Sequence, residues 1–329
     1  MSPGAKAFPR HSSTETRMPT TPDDCADARP SPCITATARG RRGADPDIVA
    51  GRSLDFSQKF LPDRVSLAPR LRLPREADAR LVSRIQARTY VNLSGFLARS
   101  VRAGLADVRR RAWRAGDDRL EDPGEPDARA LFGRLEAMAA AGMPAGYAFA
   151  APANRAGDPI RGHSAWAVLG LACCLGNAAL AHGRRSVEPD AALSPLFRDV
   201  LTRHWREASR HAILDELAWR REHAMLAAAP RDAAVDDLIA LVARLDGLLR
   251  DQATADAAYF AASCGRALTG EERMRVEAHV LSAYRWQSVV SGMQEPRYTE
   301  VLEDLVTPAQ MRRIGRALAP MVDATRWAS

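Results

Sequence analysis

Lysine is nearly missing from this chain. Lys6 and Lys59 are the only two, so arginine supplies almost all of the 47 basic residues that set the formal charge of +7. Most of that charge is interleaved with 40 acidic residues, and an interleaved excess says little about partners. The tightest basic cluster, Arg109, Arg110, Arg111 and Arg114, falls near the end of a predicted helix, where cations suit the dipole. A basic nucleic-acid-binding helical protein is therefore the least favoured functional reading. Aromatic residues are only 6% of the chain and β-branched runs are scarce, which argues against a sheet and for an all-α protein. The five cysteines (Cys25, Cys33, Cys173, Cys174, Cys264) lack CxxC spacing, which suggests neither a disulfide framework nor a zinc site. No signal-peptide core is present, and no segment reads as long and apolar enough to span a membrane. A cytoplasmic location is the expectation, without a membrane partner. A protein partner or a homo-oligomer stays open. Phosphate-binding glycine loops, nucleophile elbows and metalloprotease motifs are absent as well.

What is present is a succession of helical patterns. Residues 1–58 are rich in Pro, Ser, Thr, Gly and Arg and hold too little apolar surface to offset the entropy of ordering, so a disordered tail is expected. Residues 59–329 form the helical domain. A first helix is predicted from Arg75 to Trp113, with Leu81, Ile85, Leu93, Phe96, Val101 and Leu105 inward. A second opens at Pro126 and runs to Gly142. A third, Ser164 to Arg185, is apolar nearly all round and belongs at the centre. The fourth starts with Ser194 as N-cap and Pro195 at the first position, and Pro230 stops it. Four helices of bundle length are then complete. Further helices follow at 232–265, 270–292 and 298–305 and from Thr307, the last with a capping box in Gln310, like Thr269 with Glu272.

The fourth helix carries the most chemistry. At 100° per residue, Phe197, His204, Ala208, His211, Asp215 and Glu222 fall in one narrow arc, flanked by Val200, Leu201, Trp219 and Met225. Ionisable groups on a buried face need partners or a ligand. A di-iron or di-manganese bundle takes one Glu from each of two helices and Glu-x-x-His from each of the other two. No Glu-x-x-His occurs. Glu207 and His211 come nearest, spaced by four, with Glu207 off the arc.

Several segments resemble a group of bacterial ferritin-like proteins: FLPDRVSLAPRL (60–71), RTYVNLSGF (88–96), EAMAAAGMPAGY (136–147), WAVLGLACC (166–174) and the stretch from Leu193 to Glu222. AYRWQSVVSG (283–292) and TPAQMRRIGRALAP (307–320) extend the likeness over residues 55–320. It implies an all-α ferritin-like four-helix bundle with additional C-terminal helices. The family's fourth helix reads HW, a basic residue, EES, any residue, then HA. That comparison keeps His211 but puts Ala208 where the ligand Glu stands, and places Ala98, Ala128 and Gly176 at the other ligand positions. The residues that remain as metal-ligand candidates are His211, Glu207, His204 and Asp215, with iron or manganese the metal if the site functions. Val82 to Asp107 holds Asp107 as its only acid, and Ser164 to Ser186 holds none, so a full carboxylate set cannot be assembled. The leading expectation is a ferritin-like bundle with a largely lost di-metal site, non-catalytic or altered in function. A di-iron oxidase or oxygenase with a divergent ligand set is the alternative.

Overall fold

In a computed structural model, residues 48–106, 126–150, 158, 160–186 and 192–325 are described. Among them there are helices and no strands, with one isolated parallel bridge between Lys59 and Leu193. A four-residue helix, Asp63–Ser66, precedes α1 (Glu76–Gly104). Then come α2 (Pro126–Gly142), α3 (Ala165–Ser186), α4 (Pro195–Met225) and α5 (Ala228–Ser263). After them α6 (Gly270–Arg285) continues through a π-helical turn, Trp286–Val290, into Ser291–Met293. Helices α7 (Pro296–Leu305) and α8 (Pro308–Thr325) follow.

Local chemistry accounts for most of these starts. Thr269 accepts from the Glu272 amide at 3.1 Å while its own amide donates to Glu272 at 2.8 Å, a complete capping box. Thr307 and Gln310 exchange the same pair of bonds at 3.3 and 2.9 Å. Ser194 precedes Pro195 as expected, yet its side chain caps nothing; it is buried, and its amide donates to the Lys59 carbonyl at 2.9 Å. Pro230 does not stop α4. The helix ends at Met225, where Leu226 turns extended (φ −88, ψ 135), and Pro230 sits in the first turn of α5, where no amide is needed. Met225, expected on the buried flank, is consequently exposed.

The folded body starts earlier than composition suggests. Val49 and Leu54 are buried in the core, and Arg84 of α1 donates to the Phe56 and Gln58 carbonyls. A few well-spaced apolar residues suffice because they join the one core of the helical body. The remaining tail residues, the arginines at 109–111 and 114, Cys25 and Cys33 lie outside the described residues.

Contacts fix how the first four helices run. Glycines let α3 and α4 approach closely: a Cβ at Gly170 would lie 2.9 Å from Trp219, at Gly176 2.7 Å from Ala212, and at Gly183 3.2 Å from Trp205. Those pairs step in opposite directions, so α3 and α4 are antiparallel. Tyr90 of α1 receives a hydrogen bond from the Trp205 Nε1–H at 3.0 Å, whereas Gly104 meets Val168 of α3 at 3.4 Å. Hence α1 runs with α4 and against α3. Arg88 pairs with Glu136 at 2.7 Å and Phe132 covers Gly95, which sets α2 antiparallel to α1 and parallel to α3.

The window Ala165–Gly183 of α3 does meet the length and apolarity of a membrane span, with a mean hydropathy of 1.5. That corrects the expectation that no segment does. Its apolarity has a local cause: 83% of the window is buried inside the protein, because a helix covered on every side has no polar face to keep. Cys173 and Cys174 are free and buried there, and burial pushes the Cys173 thiol up to about 12.

Candidate functional site

A cavity of about 190 Å³, partly open, lies between α1, α3, α4 and the π-helical turn. Its walls are mainly Leu, Val, Ala and Gly, including Leu97, Val101, Leu169, Leu175, Leu214 and Ala218. Ala98, Gly176 and Ala208 all line it, together with His204, His211 and Asp215. Three positions that the ferritin-like resemblance would mark as ligand sites thus converge on one space. Ala128 is among the residues whose side chains are not described.

The four metal-ligand candidates do not assemble into a centre. Among the described residues no group of three or more His, Cys, Asp and Glu side chains is placed to hold a metal ion. Helix geometry gives part of the reason: His204 and His211 are seven residues apart, about 10 Å along the axis, too far to share one ion, while His211 and Asp215, one turn apart, could share one but supply only two donors. A single ion needs all its donors within about 2.0–2.3 Å. Completing a site would take acids from α1 and α3, which present Ala98 and Gly176 instead. Nor is Gly176 merely a deleted side chain, since a Cβ there would strike Ala212. A di-metal centre does not fit these residues. Glu207 points along its own helix to Arg203, at 3.2 Å, and does not line the cavity.

His204 is half-buried. Its ring meets Tyr90 edge-on at 6.0 Å and Phe132 of α2 at 5.1 Å. Burial, aided by the nearby His211, pushes its pKa down to about 4, so the imidazole is neutral at pH 7. His182 borders the same space; its Nε2 lies 3.1 Å from the Ser291 hydroxyl, and burial also brings its pKa to about 4.

The polar residues of the π turn were not legible in the sequence. Trp286 donates from Nε1 to the Arg64 carbonyl at 3.0 Å, and Gln287 donates from Nε2 to the Val65 carbonyl at 2.9 Å. Two successive side chains at the start of the π turn thus reach the short N-terminal helix. Gln287 and Ser288 then border the cavity. Close packing follows immediately, for a Cβ at Gly292 would lie 2.1 Å from the Cys174 carbonyl oxygen.

A second polar cluster also escaped sequence reading. Asp256 of α5 is buried and accepts from the Thr89 hydroxyl at 2.6 Å, the Gln252 amide at 2.9 Å and the Tyr284 hydroxyl. Burial raises its pKa to about 7 against the pull of those donors. Gln252 continues the network to the Ala148 carbonyl and the Ala150 amide. The cluster ties α1, α5 and α6 to the segment after α2. The signal was available: Gln252 and Asp256 extend the apolar stripe of Leu238, Val242, Leu245 and Leu249, as the histidines do on α4.

Other single residues resolve into structural pairs. His163 meets Asp237 at 2.5 Å, and the Trp166 indole donates to His223 at 3.2 Å. Buried Glu216 joins Arg220 to Arg297 of α7. The fold and site define an all-α helical protein with an internal, mostly apolar cavity. A scan against protein-family models and searches of curated proteins and of solved structures match nothing to this chain.

Proposed function

We propose that the chain is a ferritin-like helical bundle that has given up its di-metal centre and binds a small, largely apolar molecule in the space left between α1, α3 and α4. The observation that carries this reading is the convergence of Ala98, Gly176 and Ala208 on one cavity with His211. Helix directions support it. The parallel pair α2 and α3 needs one long crossover connection within the first four helices, as ferritin-like bundles have. Size supports it too. An apolar cavity of about 150 Å³ stays dry and takes up benzene, so one of about 190 Å³ accommodates a somewhat larger body.

The test has two arms. Protein purified after growth with iron and manganese is assayed for bound metal; about two equivalents per chain, lost in His211→Ala, would overturn the reading in favour of a di-iron or di-manganese oxidase. Small hydrocarbons are then titrated in a thermal-shift assay. Ligand at one hundred times its Kd stabilises by about 2.7 kcal/mol, and Ala208→Leu, which fills the cavity, should abolish the shift. A shift that survives Ala208→Leu would place binding elsewhere.

A further inference from the structure

The cavity is polar at one end in an unusual way: no Arg, Lys, Asp or Glu side chain lines it there. Contacts establish which residues share that end. Tyr90 touches both His204 and Trp205, Gly183 packs on Trp205, and His182 hydrogen-bonds the Gln287 backbone. Tyr90, His182, His204, Gln287 and Ser288 therefore ring one end. Arg102 and Asp215 lie at the opposite end, beside Leu105, Leu169 and Ala218. Between the two, from His204 to Asp215, the channel follows about 16 Å of α4, at 1.5 Å per residue. A volume of about 190 Å³ whose lining spans that length is elongated along the helices.

Three groups at the uncharged end have hydrogen-bonding capacity left over. The His204 ring nitrogens have no hydrogen-bond partner among the described residues, yet the residue keeps accessible surface and lines the cavity. The Ser288 hydroxyl is in the same position. Gln287 is 5% exposed, and its Oε1 is buried without a partner while its Nε2 is engaged. The Gln287 Oε1 is sealed from the cavity, whereas the His204 nitrogens and the Ser288 hydroxyl are not fully buried and can bond a molecule inside it. His182 and Tyr90 are satisfied by Ser291 and by Trp205 and add no free capacity.

We infer that the ligand is a straight-chain hydrocarbon bearing one uncharged hydroxyl or carbonyl, with that head group held by His204 and Ser288 and the chain lying along Leu97, Ala98, Gly176 and Ala208. The inference rests on the cavity reading above. A neutral imidazole donates from one nitrogen and accepts at the other, and a serine hydroxyl does both, which matches an alcohol or aldehyde. A carboxylate head at this end would be an unpaired charge, since no Arg or Lys side chain lines the cavity there.

Calorimetric titration of the full chain with primary alcohols, the matching carboxylates and the matching alkanes at pH 7 tests this. Alcohols should bind, each added methylene tightening Kd roughly fourfold until the cavity is full. Carboxylates should be weaker than alcohols of the same length. His204→Phe keeps the ring packed on Tyr90 and Phe132 but removes its nitrogens. It should weaken alcohols roughly two- to tenfold and leave alkanes unchanged. Carboxylates binding at least as tightly as alcohols, unaffected by His204→Phe, would overturn the inference and place the head group at Arg102. Alcohols and alkanes weakened equally by His204→Phe would overturn it as well. In both cases the cavity reading survives. If no member binds, while wild type and Ala208→Leu give identical thermal shifts, the cavity reading itself is lost.

Discussion

Gly176→Ala isolates how closely α3 and α4 are packed. A Cβ at this position would lie 2.7 Å from the Ala212 Cβ and 3.1 Å from its Cα, against about 3.5–4.0 Å for relaxed carbon contacts. Neither Ala212 atom belongs to a side chain that can swing away, so the two helices must separate or bend. Overpacking of this kind costs about 1–3 kcal/mol. Set against it is the helix-propensity gain of Ala over Gly, about 0.8–1.0 kcal/mol. The control is Gly247→Ala in the middle of α5, where an added methyl meets nothing within 4 Å. Both substitutions gain the same propensity, so their difference reports the packing cost alone: about 1–3 kcal/mol in favour of Gly247→Ala. For a chain of this size that is about 1.5–2 °C in Tm per kcal/mol, measured by calorimetry at matched pH. Gly247→Ala should exceed wild type, and Gly176→Ala should fall below its partner by that margin. Equal stabilisation of the two variants would refute the close approach, and with it the argument that an acidic side chain cannot be restored at Gly176.

Asp246 and Arg285 form a buried bidentate pair at 2.6 and 2.8 Å, so Asp246→Ala, which strands the guanidinium, should cost about 3–5 kcal/mol in urea denaturation. The double variant Asp246→Leu with Arg285→Met should recover most of that loss. Stability should also depend on pH with a definite sign. Burial lowers His182, His204 and His279 from 6.5 to about 4, so the unfolded chain binds more protons at those sites and stability is lost as pH falls through that range. Asp256 works in the opposite direction. Its native value of about 7 against an ordinary 3.8 means the folded state holds the extra proton, and its contribution declines as pH rises over the same range. Three groups outweigh one, giving net acid lability; Asp256→Asn should steepen the acid-side slope of a urea-midpoint profile, and a shallower slope would contradict the assignment.

Local rules settled much of this protein from sequence. Capping boxes at Thr269 and Thr307, prolines at first-turn positions and the 3.6-residue stripe located the helices, because hydrogen bonds and steric limits within a few residues decide where a helix begins. The same periodicity put Ala98, Gly176, Ala208 and His211 on inner faces. Where a later contact competed, local reading failed: Val49 and Leu54 look like tail residues until the helical core takes them in, and Pro230 reads as a stop although it opens α5. The π turn at Trp286–Val290 has no periodic signature, since the short N-terminal helix that Trp286 and Gln287 reach is more than two hundred positions away in the chain.

Periodicity tells which face of a helix is inward but not how far off the opposing face stands. That distance is set by all the side chains along the seam together. On α3 the glycines draw α4 in until Gly176 touches Ala212, while the small residues Ala98 of α1 and Ala208 of α4 itself face open space. The sequence by itself determined the helices and their inner faces. Whether small residues there mean close contact or a cavity was decided only by the tertiary structure.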